Sequence, residues 1–275
     1  RLSFFQDDLT TAFRIFNGEG DGLGGVTVDY YAEYAVFSWY NPFIYTQSTD
    51  IIAAFRSVYP EIKGIYEKIR FDGLSFETRH IGGEVAPEPL AVKENGVTYA
   101  TYMNEGLMTG IFLDQKEVRG TLASGLVAGK TLLNMFSYTG AFSVAAAFGG
   151  ASQTTSVDLA KRSLDKTREQ FTMNGIDPES QRIYVMDVFG YFNYAKKKEL
   201  SYDVVVLDPP SFARNKKKTF SVAKNYGELV QESIDILNKE GLLIASTNAA
   251  NVSREKFRKM VEQALKNKNV KFDIF

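Results

Sequence analysis

Three acidic residues that each follow a short strand-like run are the side chains with the most chemical promise. They are Asp158 after Thr154 to Val157, Asp187 after Arg182 to Met186, and Asp208 after Val204-Val205-Val206-Leu207. The last of them opens the segment Asp208-Pro209-Pro210-Ser211-Phe212. Two prolines remove two backbone donors and stiffen the turn, so the carbonyls of Asp208 and Pro209 are held toward a ligand while Phe212 offers a ring for stacking. An acid, a rigid turn and an aromatic suit a planar base, which makes Asp208, Pro209, Pro210 and Phe212 the catalytic candidates. An acid closing the second strand of an α/β sheet is placed to bond two ribose hydroxyls. One closing the third is placed to accept an amino hydrogen of adenine. Asp158 with Leu159, Asp187 with Val188, and Asp208 itself are therefore cofactor candidates. Asp158 or Asp187 alone reads equally well as a helix N-cap, and Asp208 has a structural turn as its alternative; together the three acids form one rim.

A turn with a single glycine sits upstream, in Leu132-Leu133-Asn134-Met135-Phe136-Ser137-Tyr138-Thr139-Gly140-Ala141-Phe142, where a strand runs into a helix. One glycine suffices if the ligand brings no pyrophosphate and lies across the turn, because only one position then needs close backbone approach. Asn134, Phe136, Ser137, Tyr138, Thr139 and Gly140 are the expected contacts. Ribose and adenine without a phosphate cradle point to S-adenosylmethionine. The G-x-G-x-x-G formed by Gly20, Gly22 and Gly25 leads into Val26-Thr27-Val28 instead of a helix, so it lacks the helix N-terminus a dinucleotide needs and reads as a hairpin turn.

The elements that must position these residues follow from pattern. Thr11 to Phe16, Gly25 to Tyr31, Tyr34 to Tyr40, Ile62 to Lys68 and Val97 to Met103 read as strands, with one helix from Thr46 to Val58 and a long loop or linker over Gly82 to Pro89. From Gly129 onward, apolar strands at 131–135, 154–157, 182–186, 204–207 and 242–246 alternate with helices near 140–149, 160–173, 188–198, 220–238 and 253–267. That rhythm predicts a doubly wound, mostly parallel α/β sheet over residues 104–275, preceded by a smaller α+β domain over 1–103. Val270 to Phe275 reads as a further strand, and a chain opening on Arg1 suggests material beyond both ends.

Composition narrows the chemistry. The 275 residues are 44% hydrophobic and carry 32 basic and 33 acidic side chains for a net charge of −1, so bulk charge announces no nucleic acid. No run of eighteen apolar residues and no signal peptide is present, so a soluble, cytoplasmic protein is expected. There is no cysteine, which removes disulfides, thiolate zinc sites and cysteine nucleophiles. No metal site is expected. The single histidine, His80, falls in a predicted loop and gives no basis for a catalytic role.

With these residues in view the chain resembles the class I methyltransferases, and more closely a bacterial large-subunit rRNA methyltransferase group. That group has a PUA domain, a central α+β domain and a catalytic domain, and the resemblance gives the first no counterpart in this sequence. The resemblance rests on Gly18-Glu19-Gly20-Asp21-Gly22-Leu23, on Asn95-Gly96-Val97, on the stretch from Gly106 through Thr109 to Arg119, and on the two motifs above. It implies that Gln115 and Arg119 hold the methionine carboxylate of the cofactor, with Phe136, Tyr138 and Gly140 beneath it. A salt bridge on a helix face is the alternative for Arg119.

Members of the group that methylate C5 of cytosine use cysteines after the fifth strand or beside the proline motif. This chain has Ala245-Ser246-Thr247-Asn248 and Pro210-Ser211 at those places. C5 is not nucleophilic until a thiolate adds at C6, so a nitrogen is the expected target. The Ser246-Thr247-Asn248 run resembles a Ser-Asn-Asn run of N7-guanine relatives and favours guanine N7. An exocyclic amine of adenine or cytosine is the second choice. Arg214, Lys216, Lys217 and Lys218 are the expected RNA contacts beside the base pocket, on ribosomal RNA, with no membrane partner and with a homodimer left open. A noncatalytic RNA-binding protein on a retained cofactor fold, and a nicotinamide-dependent oxidoreductase, are the rival classes.

Overall fold

Alternating aromatic and β-branched residues, with small helices between them, build the first part of the chain. The computed structural model describes residues 2–214 and 219–275. They fall into two compact units, Arg1–Gly120 and Thr121–Phe275. In the first, β1 (Ala12–Asn17), β2 (Val26–Tyr31), β3 (Tyr34–Trp39), β4 (Gly64–Ile69) and β5 (Thr78–Gly83) form one sheet in chain order. All its neighbours are antiparallel except β3 and β4, which run parallel because the helices α1 (Pro42–Tyr45) and α2 (Ser48–Val58) carry the chain across. The turn between β1 and β2 contains Gly20, Gly22 and Gly25, and the antiparallel pairing Asn17 to Thr27 confirms a hairpin. A second hairpin, β6 (Leu90–Glu94) and β7 (Val97–Thr101), turns on Asn95 and Gly96, both left-handed at φ 52° and 81°.

Three expectations are corrected here. Gly82, Gly83 and His80 belong to the edge strand β5, so the expected loop begins only at Glu84. Most β5 side chains are half-buried or exposed, which weakens its alternation. Residues 104–120 pack with the first unit. The reason is electrostatic: Lys68 donates to the carbonyls of Met103 and Gly106, Arg70 to that of Leu107, and Arg119 to the carboxylate of Glu94. Finally, Val270 to Phe275 has strand-like residues but no ladder; a strand exists only where a neighbour takes up its backbone donors and acceptors.

After α3 (Lys116–Thr121), the second unit alternates β8 (Thr131–Met135), α4 (Ala141–Phe148), β9 (Gln153–Asp158), α5 (Arg162–Met173), β10 (Arg182–Val185), α6 (Val188–Lys197) and β11 (Tyr202–Leu207). A small hairpin β12 (Phe212–Arg214) and β13 (Thr219–Ser221) precedes α7 (Val222–Ile234), β14 (Leu237–Ala245) and α8 (Arg254–Asn267). The main sheet has the order β10-β9-β8-β11-β14 and every described pairing is parallel. The period of two along β8 sorts its faces: Leu133 and Met135 join the core formed with α6, α7 and α8, while Asn134 faces α4 and bonds Ser143. At the amino edge Asp203 accepts from the amide and hydroxyl of Thr131 and from Asn238, tying β11 to β8 and β14. At the other edge the register pairs Met135 with both Val157 and Leu207, Asp158 with Val185, and Leu207 with Ala245. The residues that leave β8, β9, β11 and β14 therefore emerge side by side. Strand order reverses at β8, where open α/β sheets bind ligands.

Candidate cofactor and base site

The loop leaving β8 is set by backbone geometry. Phe136, Tyr138 and Gly140 are all left-handed, at φ 58°, 52° and 80°. For the two non-glycine residues this costs about 1–3 kcal/mol each. Three hydrogen bonds offset it: Ser137 N to Val157 O at 3.0 Å, Tyr138 N to Asp158 Oδ2 at 2.9 Å, and Gly140 N to Ser137 O at 2.7 Å. The ring of Phe136 packs against Phe220, 5.8 Å between centroids. Ser137 and Thr139 are buried.

Packing gives a reason of its own for the glycine. A Cβ at Gly140 would lie 2.5 Å from Thr167 Cγ2 of α5. Helix packing and a left-handed φ are enough to fix the position as glycine. Asn134 also lies deeper than expected: it is 1% exposed, donates to Ser143 Oγ at 3.1 Å, and that hydroxyl meets Ser156 Oγ at 2.7 Å. It supports the turn from below.

Asp158 closes β9 and does two things at once. Oδ2 takes the Tyr138 amide and Oδ1 the Ala160 amide, each at 2.9 Å. A carboxylate offers about four lone-pair positions, so two remain for a diol. Leu159 beside it is 56% exposed, an apolar surface at the rim. Asp187 is the N-cap of α6, accepting from Gly190 N at 3.1 Å, and Val188 is buried behind it.

At the end of β11 the Asp-Pro-Pro corner is held from two sides. Ser246 Oγ donates to Asp208 Oδ1 at 2.5 Å, a charge-assisted bond. Tyr226 of α7 donates to the Leu207 carbonyl at 3.2 Å. Burial, and then the charge of Asp208, push the Tyr226 hydroxyl well above the usual tyrosine range, so it stays a donor. Ser211 Oγ donates to Asn248 Oδ1 at 2.9 Å, linking the proline turn to the loop after β14. Pro209 is buried, Pro210 exposed, and Phe212 on β12 is 61% exposed. Ser246 and Tyr226 as clamps of Asp208 and its strand end were not visible in the sequence: they lie 38 and 18 residues away, and only the β11–β14 pairing and the packing of α7 bring them in.

Of the remaining candidates, Gln115 and Arg119 belong to the first unit. Arg119 is 2% exposed, donates to both carboxylate oxygens of Glu94 at 2.7 and 2.8 Å and to the Phe112 carbonyl at 2.6 Å. Burial opposes its charge, but the Glu94 bonds outweigh that and leave its pKa raised. Its contacts make it the clamp of the Phe112–Gln115 turn. Arg214 ends β12; Lys216, Lys217 and Lys218 lie outside the described residues.

The donor set fits a nucleoside: carboxylates that accept from hydroxyls and amines, an exposed aliphatic side chain, and an exposed ring. A family profile described as S-adenosylmethionine-dependent methyltransferase matches residues 75–272. The chain belongs to that family, and S-adenosylmethionine is its cofactor. Among particular relatives, it is 50% identical over its whole length to a protein of Bacillus subtilis named ribosomal RNA large subunit methyltransferase YwbD, covering 70% of that protein. It is 33% identical over 92% of its length to ribosomal RNA large subunit methyltransferase I of Aeromonas salmonicida and 30% identical over 94% to that of Escherichia coli. It spans 65% and 66% of those two proteins. A methyltransferase crystallised with SAH superposes with a TM-score of 0.93 at 52% identity, over 96% of this chain and 68% of the other.

Proposed function

We propose that this chain methylates a base nitrogen of large-subunit ribosomal RNA, guanine N7 first. The observation that carries it is the corner at β11, where Asp208 is fixed by Ser246, with exposed Phe212 beside it, in a chain without cysteine. When bound, S-adenosylmethionine supplies an electrophilic methyl group on a sulfonium. Asp158 accepts from ribose hydroxyls with its two remaining lone-pair positions, and Asp187 from the adenine amino group.

The base side needs a fixed acceptor and a platform. Asp208 accepts N–H donors of the base edge, and the Pro209 carbonyl stands next to it. Phe212 stacks the base after it leaves its neighbours, worth about 1–3 kcal/mol. Guanine N7 has an in-plane lone pair and no proton to lose. Holding it in near-attack geometry contributes up to ~7–11 kcal/mol without a general base. A thiolate addition at a pyrimidine C6 has no residue to perform it.

The names of the relatives, ribosomal RNA large subunit methyltransferases, support the RNA substrate. The test is mass spectrometry of nucleosides after incubating undermethylated rRNA with labelled cofactor. 7-Methylguanosine is expected; a label on an exocyclic amine moves the target atom, and 5-methylcytidine or no transfer overturns the proposal. Asp208→Ala is expected to lower turnover by about 100-fold through misplacement of the base, with cofactor affinity held within two-fold by calorimetry. Undiminished turnover removes Asp208 from the base site.

A further inference from the structure

Helices α7 and α8 pack side by side on one face of the second unit and leave between them an open groove of about 700 Å³. Its floor is made of small residues: a Cβ at Gly227 would sit 3.8 Å from that of Ala264. Its walls carry Lys224 from the first turn of α7 and Lys256 and Lys259 from the first turns of α8, against one acid, Glu255. Lys256 and Lys259 are three apart and share a helix face. Lys259 pairs with Glu255 at 2.6 Å, whereas no ion pair to Lys224 or Lys256 is found among the described residues. In an ordinary helix pair such a trough is filled by long apolar side chains; here it stays open, polar and net positive.

Its position gives that charge a use. The first amide of α7, at Val222, donates to the Ser211 carbonyl at 3.2 Å, and Ser211 also holds Asn248 in the loop that leads to α8. Both helices therefore start beside the Asp-Pro-Pro corner, and the lysines stand in their opening turns. We infer that the α7–α8 groove is a track for the RNA strand flanking the target base, with Lys224, Lys256 and Lys259 neutralising successive phosphates. The inference rests on the RNA reading above and adds a surface on which the strand runs.

Each phosphate contact to a single strand contributes about 0.7 to the slope of log affinity against log salt. The experiment is filter binding of the full chain to an undermethylated rRNA fragment across a salt series. Replacing the three lysines together, Lys224→Gln, Lys256→Gln and Lys259→Gln, is expected to weaken binding at least ten-fold near 0.1 M salt and flatten the slope by about 2, while cofactor affinity stays unchanged. The reverse change, Glu255→Gln, releases Lys259 and is expected to tighten binding two- to three-fold. Wild type that binds, with variants indistinguishable from it, overturns the groove and leaves the RNA reading standing. Wild type that neither binds nor methylates rRNA overturns both. A shift in oligomeric state by light scattering with an unchanged salt slope assigns the groove to a second copy of the chain and overturns the track.

Discussion

The two units bury charge in opposite ways. In the first, ionised groups sit inside the fold and are consumed there. Glu67, 2% exposed, accepts from Trp39, Tyr45 and Arg79. Lys68 is held by backbone carbonyls, and Arg119 and Glu94 form a bidentate pair in which neither side chain is more than 2% exposed. In the second unit the interior around β8 and β11 is apolar on the α6–α8 face, and the acids Asp158, Asp187 and Asp208 stand at the carboxyl edge of the sheet. Charge in the first unit holds a chain segment in place; charge in the second stands at the rim of the sheet, where the proposed cofactor and base site lies. The same residue types thus predict damage to stability in one unit and damage to binding in the other.

The largest effect tests the first half of that contrast. Glu94→Ala leaves the Arg119 cation buried without its counter-ion, and a broken buried pair destabilises by about 3–5 kcal/mol. Urea titration of the variant should show that loss, while Glu94→Leu combined with Arg119→Met should recover most of it, since an apolar pair of similar volume needs no solvation. If the double variant is as unstable as the single, the pair is not the source of the stability. If it folds but loses cofactor affinity, Arg119 has a role at the methionine end beyond clamping Phe112.

A middle-sized effect tests the second half. Asp158→Ala removes one charge-assisted bond from the β8 loop, at Tyr138, another from Ala160 just after β9, and the acceptors offered to the ribose, so cofactor affinity should fall about 10- to 100-fold, at roughly 1.5–3 kcal/mol for a hydrogen bond to a charged group. Calorimetry reads this directly. Thermal unfolding should move far less than for Glu94→Ala, because the Tyr138 and Ala160 amides regain water at a half-exposed rim. Equal affinity for wild type and variant removes Asp158 from the cofactor site.

What the sequence disclosed follows the same division. Apolar runs in β8 and β11, and an acid at or just after the end of β9, β10 and β11, are local signals, so both the sheet and the positions of the rim acids were legible. Four edge or hairpin strands were not: β5 carries Thr78-Arg79-His80-Ile81-Gly82-Gly83, β6 is only Leu90–Glu94, and β12 and β13 have three residues each. Their pairing is decided by neighbours. The packing reason for a glycine at position 140 was hidden, because Thr167, whose Cγ2 a Cβ there would meet, lies on another helix. The domain to which 104–120 adheres was hidden for the same cause. Nothing in the spelling of Glu94 or Lys68 says that their partners are Arg119 and the carbonyls of Met103 and Gly106.

The smallest expected effect, read per pH unit, is a pH dependence that belongs to the first unit alone. Burial, and then the nearby charge of Arg70, pull the Lys68 ammonium down from 10.5 to about 8, against the opposing influence of Glu88 and Glu105. In the unfolded chain the lysine keeps its ordinary value. Between pH 8 and 10.5 the unfolded state therefore holds a proton that the folded state has released, and stability rises with pH across that window by at most about 1.4 kcal/mol per unit. Below pH 8 both states are protonated and this group contributes no slope. The neutral amine still has two hydrogens, enough for the carbonyls of Met103 at 3.0 Å and Gly106 at 2.5 Å, so deprotonation relieves the desolvated charge without opening the loop. Other groups titrate in the same range, which makes the difference between wild type and Lys68→Met the informative quantity. That difference should move in favour of wild type from pH 8 to 10.5 in urea titrations. Parallel curves would mean that Lys68 keeps its charge inside the fold, and that the carbonyl cage solvates an ammonium as well as water does.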